Sequence, residues 1–83
     1  MIKVLFFASL REELDCAKLE QPFEAGLQLS ALVAQLIQEH GEPWREALEQ
    51  DNLIRSVNQQ VVTDDVELHD GDEVALFPRV TGG

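Results

Sequence analysis

Apolar and polar positions fall into short runs whose spacing changes several times along the chain. Ile2 to Ala8 (IKVLFFA) is almost wholly apolar, rich in strand formers and too short for a typical helix, which predicts a largely buried strand. Ser9-Leu10-Arg11-Glu12 has the Ser-x-x-Glu form of a capping box and predicts a short helix over Leu10 to Asp15. Lys18 to Phe23 alternates weakly and contains Pro22, a pattern for an edge strand that Gly26 ends. Leu29, Leu32, Val33, Leu36 and Ile37 recur at three- and four-residue intervals and make one apolar stripe. That stripe predicts an amphipathic helix with Ser30 as its cap and Gly41 as its stop. Pro43 to Leu48 predicts one or two further helical turns, with proline tolerated at the start. Leu53 to Asn58 and Val61 to Thr63 read as two short strands around the polar break Asn58-Gln59-Gln60. Asp70-Gly71-Asp72 predicts a turn, and Glu73 to Phe77 (EVALF) the last strand.

The order is strand, strand, long helix, then strands. If the first and last strands lie side by side at the sheet centre, the helix joins the two halves and covers one face. The fold expected is therefore α+β, a ubiquitin-like β-grasp with a mixed sheet packed on one long helix. A ferredoxin-like sheet satisfies the same pattern.

Composition narrows what such a fold can do. The chain has 83 residues, 16 Asp and Glu against 6 Lys and Arg, and a net charge of −10. A chain of this size removes roughly 60–65% of its unfolded surface from water, enough for one modest core but not for an elaborate buried catalytic cavity. No repeat or linker divides it, so one domain is expected over residues 1–78, followed by a C-terminal tail over 79–83. No apolar run reaches the ~20 residues of a membrane-spanning helix, and no signal-peptide pattern opens the chain. A cytoplasmic location is expected. The acidic balance argues against nucleic acid and anionic membranes, both of which demand clustered Lys and Arg, and favours a protein partner with basic patches.

Familiar catalytic motifs are absent from the sequence: it has no Gly-x-Ser-x-Gly, phosphate-binding glycine loop or His-Glu-x-x-His. Asp64, Asp65, Glu67, Asp70, Asp72 and Glu73 form an acidic cluster, read either as a solvated edge or as a docking surface. His40 and His69 read as surface residues, and Cys16 as a small half-buried apolar one, so no metal site is expected. The C-terminus differs. Pro78 is expected to stop ladder pairing, after which Arg79-Val80-Thr81-Gly82-Gly83 reaches about 17 Å if extended, enough to enter a cleft on another protein. Two terminal glycines make its tip thin, although a Gly-Gly end taken by itself favours simple fraying.

Met1 to Ala8 followed by Leu10-Arg11-Glu12, then Val57-Asn58-Gln59, Asp70-Gly71-Asp72-Glu73-Val74-Ala75, Phe77-Pro78 and the ending Val80-Thr81-Gly82-Gly83, together resemble the sulfur-carrying small subunits of molybdopterin synthase. The resemblance spans the chain in order. It departs from the family at Arg79, where a second proline is common, and between Cys16 and Gly26. The resemblance implies a carrier without catalytic groups of its own, active only with its large subunit. Its working group would be the carboxylate of Gly83, with Arg79, Val80, Thr81 and Gly82 forming the segment that inserts into the partner. A ubiquitin-activating-like adenylyltransferase would consume ATP to join that carboxylate to AMP, and a sulfur donor would then leave a thiocarboxylate. The large synthase subunit, in a heterotetramer of two small and two large chains, would pass the sulfur to cyclic pyranopterin monophosphate. No cofactor would be bound by the carrier itself.

Strand alternation adds a candidate docking face. Lys3, Leu5 and Phe7 share one side of the first strand, and Glu73, Ala75 and Phe77 one side of the last. With Lys3 and Glu73 facing water, Phe7 and Phe77 are expected on the same wet face, as an apolar patch near the tail or as a small local core beneath it. Val61 matches an interface position of the resembling family. Other readings stay open: a sulfur carrier for thiamine synthesis or tRNA thiolation, a ubiquitin-like modifier, and a non-catalytic β-grasp interaction module.

Overall fold

The computed structural model describes residues 1–79. The order is β1 (Ile2–Phe6), α1 (Ala8–Leu14), β2 (Lys18–Gln21), α2 (Leu29–His40), α3 (Glu42–Leu48), β3 (Leu53–Val57), β4 (Gln60–Val62) and β5 (Glu73–Pro78). The strands form one five-stranded sheet in the order β2-β1-β5-β3-β4. β1 and β5 are its parallel central pair, in register from Lys3 opposite Glu73 to Phe6 opposite Leu76, and the other pairings are antiparallel. This is the β-grasp arrangement, and it excludes the ferredoxin-like alternative.

Alternation fixes which face of the sheet is covered. Ile2, Val4 and Phe6 of β1 and Val74 and Leu76 of β5 are essentially inaccessible, and they meet Leu29, Leu32, Val33, Leu36 and Ile37, the stripe of α2. The covering layer is three helices instead of one. α2 is twelve residues long and stops at Gly41, whose φ of +88° suits glycine and whose N–H donates to the Ile37 carbonyl at 2.8 Å. α3 then adds Trp44, Ala47 and Leu48 to the core, and α1 adds Leu10 and Leu14. Trp44 meets Phe6 edge-on at 5.4 Å, while His40 stacks on its exposed side at 3.7 Å. Each fully buried large side chain of this set contributes about 1.5–3 kcal/mol by leaving water.

Local signals misplaced several boundaries. β1 ends at Phe6, and the helix begins at Ala8, whose φ of +56° turns the chain sharply out of the sheet. Ser9 is therefore inside α1 and makes no cap, because burial of Leu10 and Leu14 goes with a helix that starts two residues earlier than the capping box implied. α1 ends in a Schellman turn: Asp15 is left-handed, its N–H donates to Glu12, and the N–H of Cys16 donates to Arg11. Cys16 packs half-buried against the core, as its size suggested. β2 stops at Gln21, before Pro22. The break between β3 and β4 is a two-residue hairpin loop in which Asn58 and Gln59 both have positive φ, so β3 ends at Val57 and β4 at Val62.

Pro78 does not end pairing. The amide of Asn58 donates to Glu73 and that of Arg79 to Asn52 at 2.7 Å, so the odd-numbered residues of β5 exchange bonds with β3. The missing N–H of Pro78 faces the side where β1 has already turned away into α1, and no ladder bond is lost.

α2 is capped from a distance. Ser30, expected as the cap, is the second helical residue; its backbone N–H donates to Asp65 Oδ1 at 2.9 Å and its hydroxyl to Asp65 Oδ2. Leu29 N–H donates to the Val66 carbonyl, and Leu68 N–H to that of Leu27, pinning the segment before β5 against the helix start. The Ser30 hydroxyl, the Ser30 backbone N–H, the Val66 N–H and the charge of Arg55 outweigh desolvation and hold the Asp65 carboxyl below its ordinary value. A depressed folded-state value contributes stability that is present above the unfolded value of about 3.9 and lost as pH falls through the folded one. Asp65→Asn should therefore lower the melting temperature at pH 7, and thermal melts should show the gap start to narrow once pH falls under the unfolded value of about 3.9 and close only as it passes through the lower folded-state value, where the wild-type carboxyl becomes neutral too.

Candidate functional site

The open face of the sheet is built by the residues that alternate away from the core. Leu5, Ala75, Ser56 and Val61 form one row across β1, β5, β3 and β4. The next row toward the end of β5 contains Phe77 opposite Ile54, with Phe7 beside them. The backbone N–H of Phe7 donates to the Leu76 carbonyl at 3.2 Å, which extends the parallel ladder by one residue and swings its ring onto Phe77. The rings meet edge-on, 6.4 Å between centroids. Phe7 is 45% exposed and Phe77 half-buried, so the pair is a surface cluster and not a core beneath the tail. Val61 is 64% exposed, the most exposed large apolar side chain of the described residues.

Ser56 and Ala75, the small residues between these larger side chains, are buried, with only 5% and 9% of their surface exposed. The apolar area is therefore broad and shallow. An open groove of about 490 Å³ runs along its outer edge, where β4 has ended, and brings Ile54, Val61, Phe77 and Arg79 to one wall. Glu49 and Asp51 line the same groove. Arg79 is exposed, with its backbone held by Asn52. Four of the candidate residues, Val80, Thr81, Gly82 and Gly83, lie outside the described residues.

The other end of the sheet is fixed by polar contacts. Asp72 accepts from the Asn58 amide at 2.9 Å and from the His69 backbone at 2.8 Å, while Asn58 Oδ1 accepts from Glu73 N–H. Burial pushes the Asp72 carboxyl up, but the Asn58 and His69 hydrogen bonds and the His69 charge together bring it below its ordinary value. Asp65 and Asp72 thus have internal roles, which separates them from the solvated remainder of the acidic cluster. His69 is exposed beside Asp72. Among the described residues no three His, Cys, Asp or Glu side chains come together as a metal site, and no helix is long and apolar enough to cross a membrane.

Ile54 was not legible as part of this face. Leu53-Ile54 is an apolar pair at a strand start, and alternation cannot say which member points inward until the β3–β5 register is known.

A five-stranded sheet with a parallel central pair, one face under helices and one open beside the C-terminal strand, defines a ubiquitin-like β-grasp protein. The chain belongs to the ThiS family, whose sequence pattern matches residues 4–83. It is 43% identical over 83 residues, all of both chains, to the molybdopterin synthase sulfur carrier subunit of Escherichia coli (strain K12). Among solved structures it is similar to small archaeal modifier protein 1 of Haloferax volcanii, with a TM-score of 0.76 and 21% identity over 95% of this chain and 97% of that one. It is similar also to a chain in the complex of subunits 1 and 2 of molybdopterin-converting factor from Helicobacter pylori 26695, with a TM-score of 0.68 and 24% identity over 99% and 97%.

Phe6 and Phe7 are adjacent in sequence and face opposite sides of the sheet, which makes them a direct test of the two-face description. Phe6→Ala should cost about 3–5 kcal/mol of unfolding free energy, as for a buried aromatic, and Phe7→Ala no more than about 1 kcal/mol, both measured by urea denaturation.

Proposed function

We propose that this chain is a sulfur carrier in molybdenum cofactor biosynthesis, with the carboxylate of Gly83 as the group that carries the sulfur. The observation that supports this reading most directly is identity along the full length to a molybdopterin synthase sulfur carrier subunit, in a family match that runs through Gly83.

A C-terminal carboxylate has an ordinary pKa near 3.3–3.7, so at neutral pH it is an anion and a poor electrophile. Activation comes from an adenylyltransferase of the ubiquitin-activating kind. A carboxylate oxygen attacks the α-phosphorus of ATP, pyrophosphate leaves, and the mixed anhydride with AMP forms. A sulfur donor then attacks the carbonyl carbon, AMP departs, and a thiocarboxylate remains. In the synthase the tail enters the large, catalytic subunit, the thiocarboxylate sulfur bonds to cyclic pyranopterin monophosphate, and water hydrolyses the acyl–sulfur bond, so that the sulfur stays on the pterin and Gly83 returns as carboxylate. The working assembly is a heterotetramer of two small and two large subunits in the cytoplasm, and ATP is consumed only by the activating partner.

The open sheet face is where the large subunit docks. Phe7, Phe77 and Val61 present an apolar surface at the root of the tail, so docking there also delivers residues 79–83 to the partner. The complex of subunits 1 and 2 of molybdopterin-converting factor from Helicobacter pylori supports a partner of this kind. Arg79, Val80, Thr81 and Gly82 span the distance between that surface and the reacting atom, and a Cβ at Gly82 would thicken the segment where the cleft is narrowest.

Mass spectrometry of the protein isolated from its native host should show a fraction heavier by the replacement of one oxygen with sulfur, located at Gly83. One residue added after Gly83 moves the carboxylate by up to ~3.6 Å, far beyond the tolerance of positioned chemistry. The extended chain should therefore acquire no sulfur, and a normal yield of thiocarboxylate from it, without prior trimming, would refute the reading. Phe77→Ala should weaken binding to the large subunit by about 2 kcal/mol or more, read by calorimetry, while its thermal melt stays near that of the wild type.

A further inference from the structure

With a net charge of −10, the chain as a whole suits a basic partner. The open sheet face departs from that average. The strand register and its continuation through Arg79 place Lys3, Lys18 and Arg79 on this face, against only Glu20 and Glu73. Half of the chain's 6 Lys and Arg are therefore here, but only two of its 16 Asp and Glu.

Position within the face sharpens the contrast. Lys3 lies between Glu20 and Glu73 in register, so its charge is compensated across the strands. That row is at the far end from the tail. Lys18 is opposite Leu5, at one margin of the apolar area, and Arg79 follows Phe77 at another. Both are exposed, and among the described residues neither forms an ion pair; the pairs present involve the Met1 amine, Arg45 and His69. Two cations that form no ion pair among the described residues thus flank the cluster of Phe7, Phe77 and Ile54, although Glu49 and Asp51 line the same groove as Arg79 and Glu20 shares the face of Lys18. The Asn52 bond to the Arg79 backbone holds the base of that side chain in place, which lowers the entropy lost when it pairs.

We propose that the partner surface covering this face carries carboxylates opposite Arg79 and Lys18, so that this acidic chain docks through a face less acidic than its average. The proposal rests on the open face being the docking face for the large subunit, and it adds the charge of what meets it. Apolar contact at the centre supplies affinity. The flanking pairs orient the chain so that the tail points into its cleft, and repulsion between two acidic surfaces discourages docking on the helical side.

The test compares two substitutions that change net charge by the same amount in different places. Arg79→Gln removes a cation from the open face, and Gln38→Glu adds an anion at an exposed position of α2, on the other side of the sheet. Each is titrated with the large subunit by calorimetry in about 50 mM and about 500 mM sodium chloride, after thermal melts confirm folding. Arg79→Gln should bind about three- to tenfold more weakly in low salt, with the gap closing in high salt, where screening acts over a few ångströms. Lys18→Gln should move the same way, and Gln38→Glu should stay within about twofold of the wild type. Equal shifts for Arg79→Gln and Gln38→Glu, no shift for Arg79→Gln, or tighter binding by it would each overturn the proposal. Phe77→Ala in the same titration separates the two levels of the argument. If it binds as the wild type does, the open face is not the docking face; if it weakens while Arg79→Gln does not, only the charge proposal falls.

Discussion

The parallel pairing of β1 with β5 is the contact on which the rest of the molecule depends. It joins segments from opposite ends of the chain, so its closure entropy is met only when the intervening helices have a core to cover. Its register decides the face of every side chain in both strands, because a slip of one residue would expose Ile2, Val4 and Phe6 and bury Lys3. Several polar contacts hold that register from one end. The Lys3 N–H donates to Asp72, the Gly71 N–H to Met1, and the terminal amine pairs with Asp70. Gly71 can make this approach at a φ of +89°, which a side chain would strain.

From that pairing follows the division of the sheet into two working surfaces. One face is saturated by three helices and carries the stability of the domain. The other is left open, with its small residues Ser56 and Ala75 at the centre and larger apolar side chains around them. Because β5 is central and not an edge, its continuation to Arg79 is still held by β3, through the Asn52 carbonyl, beyond Phe77. The same strand thus contributes Val74 and Leu76 to the core, Phe77 to the surface and the root of residues 79–83. The two free edges are short: β2 has four residues and carries Lys18 and Glu20, while β4 has three, so neither offers a long template for unwanted strand addition.

A carrier built this way needs little from its own side chains. In the proposed reaction the body has to be rigid, recognisable and small, and the reacting atom has to stand away from it. Charge distribution then becomes a property of location. A net charge averaged over the chain describes the solvated helical side, whereas the face beside the tail has its own local balance.

Much of this was legible in the sequence because it is local. The α2 stripe, the Gly41 stop, the turn at Asp70-Gly71-Asp72 and the opposed faces of β1 and β5 follow from residue spacing alone. The shared wet face of Phe7 and Phe77 followed once the two strands were assumed adjacent, and the family was recognisable from motifs spread along the chain. What the sequence could not determine depends on partners distant in the chain. Ser30 and Ser9 both carry local cap signals; α2 is capped instead by Asp65, 35 residues away, and α1 starts where burial of Leu10 and Leu14 puts it. Ile54 joined the apolar face only when the β3–β5 register was known, and Pro78 stayed in the strand because β1 had already left its side. The placement of Lys18 and Arg79 around the patch is of the same kind. Local propensity and periodicity are written in neighbouring residues, but register, capping across the fold and the charge of a face are set by which segments meet, and only the folded chain decides that.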